Sequence, residues 1–296
     1  MEAFFAACAA VTIFVVISMT LYMLINGLPA IRKAGVEEIL LRTEWKPTAE
    51  EPSYGILNII LTSLIGTLSA IVLGVPIGIL TAVFLAECPH KRTAGLVKPA
   101  VELLAGIPSV IYGLLGLYLL NPWMYRLERK LFEGSETHRF TGGANLLSAV
   151  LVLAIMILPT VINVSETALR AVPSGIREAS LGLGASRIQT IFHAVLPAAK
   201  SGICTAVVLG VGRAMGEAMA IMMVSGNSVN APLPFQSVRF LTTALISEMA
   251  YAQGTHRQVL FTIGLVLFVF IMMVNILLNY ILKKDKESHG YEKEKK

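Results

Sequence analysis

Six stretches of this 296-residue sequence are apolar for long enough to leave water altogether. They run over Ala3–Ile25, Gly55–Ala86, Gly95–Leu120, Asn145–Ala168, Ala199–Ser225 and Val259–Leu282. About 30 Å of hydrocarbon is crossed by about 20 predominantly apolar residues in a helix, which satisfies every backbone polar group within one segment. The sequence therefore predicts an all-α polytopic membrane protein of about six transmembrane helices. Composition agrees: 55% of residues are hydrophobic and the mean hydropathy is +0.71, too apolar for an ordinary soluble domain. The formal charge of +5 sits in loops and tail and gives no support to nucleic acid as a partner.

Proline interrupts three of the runs, at Pro76, Pro108 and Pro159. Each removes a backbone hydrogen bond, so a kink or break is expected at each. The first run follows Glu2 with no basic n-region and is read as a span, not a cleaved leader. Three parts result: residues 1–54 as a first helix with an external connection, 55–282 as the transmembrane core, and 283–296 as a charged tail. That tail is polar throughout and is expected to be disordered.

Orientation follows from Lys and Arg. Thirteen lie in the connections around Lys91 and 170–200 and in the tail, against ten in the three other connections. Those ten are diluted over longer stretches. The thirteen mark the cytoplasmic side, which then also holds both termini. The external connections, about 25–30 residues each, exceed the usual turn between helices. Trp45-Lys46-Pro47 and the pair Pro232 and Pro234 give them rigid points. They are either a docking surface for an extracytoplasmic partner or passive connections.

Val172–Pro197 is a polar island between two spans, on the side assigned to the cytoplasm. Its pattern fits two short amphipathic helices. Ser174 is the expected N-cap of the first and Gly184 its stop; Ser186 is the expected N-cap of the second and Pro197 its end. Ile176, Ala179 and Leu183 share one apolar face, and Ile188, Ile191, Phe192 and Val195 another. Two half-apolar helices at a membrane surface suit a docking element, or else an ordinary interfacial loop.

Arg213 and Glu217 are the one place where a full charge of each sign lies deep in a span. Each costs about 2.5–3.5 kcal/mol to insert, so lipid exposure is disfavoured. A spacing of four puts them on one helical face, where they can pair. Gly212 and Gly216 form a small-xxx-small step that admits another helix. Either Arg213 lines a path for a tetrahedral oxyanion, with Glu217 holding it between events, or the pair is a fixed salt bridge.

No phosphate-binding G-x-x-x-x-G-K-[ST], H-E-x-x-H or G-x-S-x-G occurs, so no catalytic residue, metal site or cofactor is assigned. His90, His138, His193, His256 and His289 lack metal-ligand spacing, and Cys8, Cys88 and Cys204 are scattered. Glu102 and Glu166 are expected near the cytoplasmic ends of their spans, Glu166 as a snorkelling carboxylate or else facing a cavity. Met219, Met222 and Met223 read as packing residues.

Glu178-Ala179-Ser180, three residues, Gly184, then Leu196-Pro197 resembles the EAA loop of ABC importer permeases. Here Ser180 and Ala194 replace an Ala and an Ile of that pattern. Further stretches resemble the phosphate branch of that family, the PstC-type subunits. They are Leu104–Leu114, Tyr54-Gly55-Ile56, Gly66-Thr67-Leu68, the Gly78–Glu87 end of the second span, and Gly212–Ala220. Thr43–Pro47, with its tryptophan, tilts the resemblance to PstC over PstA. The resemblance covers about Tyr54 to Leu282 and implies a type I ABC importer of the MetI-like permease fold. It assigns Glu178, Ala179, Ser180, Gly184, Leu196 and Pro197 to ATPase coupling. The implied partners are a PstA-like second permease, a cytoplasmic PstB-like ATPase dimer that binds ATP and Mg, and an extracytoplasmic PstS-like phosphate-binding protein. All would assemble with lipid in the cytoplasmic membrane. Phosphate over sulfate or molybdate rests on the resemblance alone. An intramembrane enzyme acting on a lipid phosphate, and a non-transporting scaffold, are the other readings.

Overall fold

In a computed structural model the chain is described over residues 1–87 and 91–290, so Cys88, His90 and residues 291–296 lie outside the described residues. In chain order the helices are α1 (Glu2–Ala34), α2 (Val36–Leu40), α3 (Leu57–Glu87), α4 (Lys91–Gly106), α5 (Ser109–Leu115), α6 (Asn121–Leu131) and α7 (Leu146–Arg170). Then come α8 (Ser174–Gly182), α9 (Arg187–Thr190), α10 (Leu196–Ala198), α11 (Lys200–Gly216), α12 (Met219–Val224), α13 (Leu241–Glu248) and α14 (Gly254–Gly290). Single π turns, Gly116–Leu120 and Ile191–Val195, join α5 to α6 and α9 to α10. Two short strands, β1 (Trp45–Lys46) and β2 (Ser53–Tyr54), pair antiparallel with Trp45 opposite Tyr54.

Among the described residues four helices are long and apolar enough to cross a membrane alone: Phe4–Ala34 of α1, all of α3 and α7, and Gly254–Leu277 of α14. Two bent pairs bring the number to six. Gly95–Gly106 meets Ser109–Leu131 at 104°, and Arg187–Ala198 meets Lys200–Gly216 at 70°. Of the three prolines expected to bend spans, only Pro108 separates two helices. Gly106 weakens the helix just before it, and Pro108 becomes the extended N-cap of α5 (φ −58°, ψ 141°). α3 and α7 run unbroken past Pro76 and Pro159, where the flanking residues keep the helical ladder.

α3 and α7 form the centre. Gly66, Ala70, Gly74, Gly78 and Ala82 recur every fourth residue and are buried along one stripe of α3. A Cβ on Gly74 would lie 2.7 Å from Ile157 Cδ1, and one on Gly78 2.7 Å from Val161 Cγ1. Lipid tails are as apolar as leucine, so close backbone approach supplies what hydrophobic burial cannot. α1 and α14 meet likewise at Gly27, whose carbonyl accepts from Thr262 Oγ1 at 2.9 Å. The most apolar window of α1 buries none of its residues; Phe14, Tyr22 and Ile25 are exposed, while Gly27 and Ala30 beside α14 are buried.

Among the described residues the buried charges are all partnered. On the end of the molecule that carries the hairpin, the Glu128 carboxylate accepts from Thr141 N and Thr141 Oγ1 and contacts His138 Nε2, each at 2.9 Å. At the same end Glu248 meets Arg239, His256 Nε2 at 2.7 Å and Trp45 Nε1 at 3.1 Å. On the opposite end Glu166 is not the snorkelling carboxylate expected but is 4% exposed. Arg170 Nε donates to it at 2.8 Å, and Lys98 Nζ, carried in by α4, lies at 3.4 Å. Burying a carboxylate unpaired costs several kcal/mol, and α4 supplies the second cation that the local sequence of α7 lacks.

The tail also departs from expectation within the described residues. α14 continues past Leu282 to Gly290. A long helix already nucleated adds residues without a new nucleation cost, and Lys and Glu are good helix formers.

Candidate functional site: the coupling elbow and the broken fifth span

Residues 172–199 form an elbow at the end opposite the hairpin. α8 begins at Ser174 itself, with Pro173 as N-cap, so Ser174 is the first helical residue and not the cap expected. Gly184 closes α8 at φ +88°. Its N–H donates to Leu181 O at 2.9 Å and Ala185 N–H donates to Ser180 O at 3.2 Å. This crossed pair is the Schellman closure, and the left-handed residue in it favours glycine. Ser186 caps α9 reciprocally: Gln189 N donates to Ser186 Oγ at 3.3 Å, and Ser186 N to Gln189 Oε1 at 2.8 Å.

Pro197 does not end the second helix as expected. Helix continues through it to Ala198 and then turns by 70° into α11. The π turn Ile191–Val195 lies just ahead of Pro197, where the ring forbids the ordinary bond to residue 193.

Arg177 anchors the elbow. Its Nη2 donates to Glu87 Oε1 at 2.6 Å and to Leu169 O at 2.8 Å, and its Nη1 donates to Val172 O at 2.6 Å. Hydrogen bonding to Glu87 holds the guanidinium above its ordinary range, against the opposing effect of burial. Ser180 and buried Thr190 share a hydroxyl hydrogen bond of 2.9 Å that ties α8 to α9. Ile191 and Val195 turn inward onto Leu169 and Ala82. Leu183 and Ile188 stay 90% and 70% exposed, with Phe192, Leu181 and Ile176 around them. Glu178, Ala179, Gly184 and Pro197 are exposed, Ser180 and Leu196 half-buried. All six expected coupling residues thus lie on this one elbow. The Arg177–Glu87 clamp was not expected, and only Arg177's place in the polar island hinted at it.

The second locus is the fifth span. α11 stops at Gly216, and Glu217 is extended (ψ 130°), so the expected continuous helix to Ser225 is replaced by α11, a break and α12. Glu217 and Arg213 therefore do not pair across one helical turn. The Glu217 carboxylate accepts from Ala220 N at 3.1 Å, capping α12, and its carbonyl accepts from Thr242 Oγ1 at 2.8 Å. Two successive glycine-flanked turns and the pull of both hydrogen bonds explain the break. Among the described residues no ion pair holds Arg213. It is half-buried, within electrostatic range of Tyr112 on α5. Gly212 and Gly216 have open space where a Cβ would stand. The close approach expected of them is not made among the described residues; Gly210 makes it instead, against Val161.

Over residues 74–285 the chain matches the family described as binding-protein-dependent transport system inner membrane component. It is 36% identical to the probable ABC transporter permease protein YqgH of Bacillus subtilis, over 95% of this chain and 89% of that protein. It is 33% identical to the phosphate transport system permease protein PstC of Haemophilus influenzae, over 96% and 93%. Among solved structures, a bacterial alginate ABC transporter in complex with a periplasmic protein superposes with a TM-score of 0.66 at 16% identity, over 95% of this chain and 94% of that one. The inward-facing MetNI methionine ABC transporter gives 0.52 at 18% identity, over 78% and 94%.

Proposed function

The chain belongs to the binding-protein-dependent transport system inner membrane components and has the MetI-like permease fold of ABC importers, and from that premise we propose that it is the membrane-spanning permease subunit of an ATP-driven phosphate importer. The PstC relatives support phosphate as the solute. The elbow is the observation that carries the mechanism. It presents Leu183 and Ile188 bare to solvent, yet Arg177 clamps it to the ends of α3 and α7. A partner that grips the exposed side moves both central helices with it. A cytoplasmic ATPase dimer of PstB type, binding ATP and Mg itself, is the proposed partner.

In this reading the elbow and both termini face the cytoplasm, and the hairpin end receives a PstS-like binding protein. A PstA-like second permease covers the exposed side of α11, where Gly212 and Gly216 leave room. Arg213 offers a guanidinium fork to the travelling oxyanion, held without a competing carboxylate. The chain performs no covalent chemistry; it contributes geometry and charge compensation.

The test is energised uptake of labelled phosphate in cells lacking their own importer, with the ATPase, second permease and binding protein co-expressed. Uptake that requires this chain and is not competed by sulfate or molybdate is the expected result. Competition by either anion, or uptake indifferent to the ATPase, would overturn it. Cysteines placed in residues 174–196 should react with membrane-impermeant reagent only from the cell interior.

A further inference from the structure

We propose that the outward end of α6 binds the phosphodiester headgroup of an anionic phospholipid in the leaflet on the hairpin side. α6 starts level with the mouth of the central helix: a Cβ on Gly143, two residues before the N-cap of α7, would lie 1.9 Å from Asn121 O. Asn121, Met124 and Glu128 turn inward. Trp123, Arg126 and Lys130 follow at i, i+3 and i+7 on the outward stripe. Just before α6, Tyr118 and Leu119 are 72% and 68% exposed. The exposed surface thus changes from apolar to aromatic to basic within about 17 Å, at 1.5 Å per residue from Leu119 to Lys130. That is the sequence of environments from acyl chain through interface to headgroup.

The basic end is an open pocket on the surface. A cavity of about 430 Å³ is lined by Arg126, Arg129, Lys130, Glu133, Gly134 and Phe140, three cations to one carboxylate. Among the described residues none of the three cations is in an ion pair. The loop behind Phe140 is fixed: Glu128 is held by Thr141 and His138, and Phe132 stacks on His138 at 3.8 Å. Phe140 packs edge-on to the same ring at 5.2 Å. Two guanidinium forks and an ammonium on a rigid wall suit a phosphate diester. The apolar and aromatic surface beside them suits the lipid's acyl chains and favours it over free phosphate.

The experiment uses the full-length Trp45→Phe protein, whose sole tryptophan is Trp123. It is reconstituted in phosphatidylcholine vesicles carrying equal fractions of dibrominated phosphatidylglycerol or dibrominated phosphatidylcholine. Brominated phosphatidylglycerol should quench Trp123 more, and each cation removed by Arg126→Gln and Lys130→Gln should lower that preference about fivefold. Arg126→Lys with Lys130→Arg should retain it. Equal quenching by the two lipids, or a preference that survives the double Gln variant, overturns the proposal. Loss of the preference on adding millimolar inorganic phosphate would assign the pocket to free anion and overturn it as well. Native mass spectrometry of the unsubstituted protein gives a second measurement should Trp45→Phe misfold. Phosphatidylglycerol retained over phosphatidylcholine supports the site, and equal retention overturns it.

Discussion

Arg177 and Glu87, ninety residues apart in sequence, meet at 2.6 Å and join the elbow of residues 172–199 to the end of α3. The same guanidinium takes two carbonyls at the end of α7, so three elements share one side chain. A bidentate fork with extra backbone acceptors is a stiff connection, unlike a lone ammonium. Motion applied to α8 is thereby delivered to α3, which carries the glycine stripe, and to α7, which packs on it.

Arg177→Met should therefore uncouple the importer. Glu87 would be left partly buried without its partner, costing about 2–3 kcal/mol of thermal stability. ATP-dependent uptake should fall at least tenfold, with Arg177→Lys intermediate. Glu87→Ala added to Arg177→Met should do little further harm, since the pair acts as a unit.

Gly184 is constrained by its backbone and not by space: φ is +88° and nothing lies within 4 Å of a built Cβ. Gly184→Val should cost about 1–2 kcal/mol and disturb the elbow, while Gly184→Asn should be nearly tolerated. ATPase stimulation in the assembled complex would separate the two. Equal behaviour would show that the left-handed closure is not what the elbow needs.

Glu217→Gln keeps an oxygen to cap α12 but removes the charge. If capping is the whole role of this side chain, uptake should be within about twofold of wild type. Arg213→Met should abolish uptake while the subunit still assembles, and Arg213→Lys should restore only part of it. Loss of uptake in Glu217→Gln would show that its charge, and not only its capping oxygen, is needed for transport.

Gly74→Val drives a side chain into Ile157 and the Ala154 carbonyl, which lie 2.7 and 2.9 Å from the first added carbon. It should lower the unfolding midpoint by the equivalent of about 1–3 kcal/mol. Gly212→Val meets nothing in this chain. It should leave the isolated subunit unchanged and weaken co-purification of a second permease. Normal assembly in that variant would move the permease interface elsewhere.

Glu248→Ala would strand His256 and the Trp45 indole N–H and leave the Arg239 guanidinium only its bonds to Asn227 O, with no counter-charge. Breaking a buried charged cluster from one side should cost about 3–5 kcal/mol. Loosening of the hairpin should appear as a red shift of Trp45 emission in a Trp123→Phe background.

The spans, the elbow and the break at Pro108 were legible in the sequence because each rests on a local property. Hydrophobicity sums along a run, a capping serine acts three residues ahead, and Gly184 follows its own helix. Fold class followed from those features. Tertiary structure alone decided which partners the charged groups found. Glu217 satisfies a new helix start instead of Arg213, Glu166 takes Lys98 from α4, and Glu248 gathers Trp45, Arg239 and His256 from two connections far apart in the chain. A carboxylate in a low-dielectric interior goes to whichever donor packing brings within reach. Packing, in turn, was set by the four-residue stripe of Gly66, Ala70, Gly74 and Gly78, which spacing along the chain displays but only a facing helix makes meaningful.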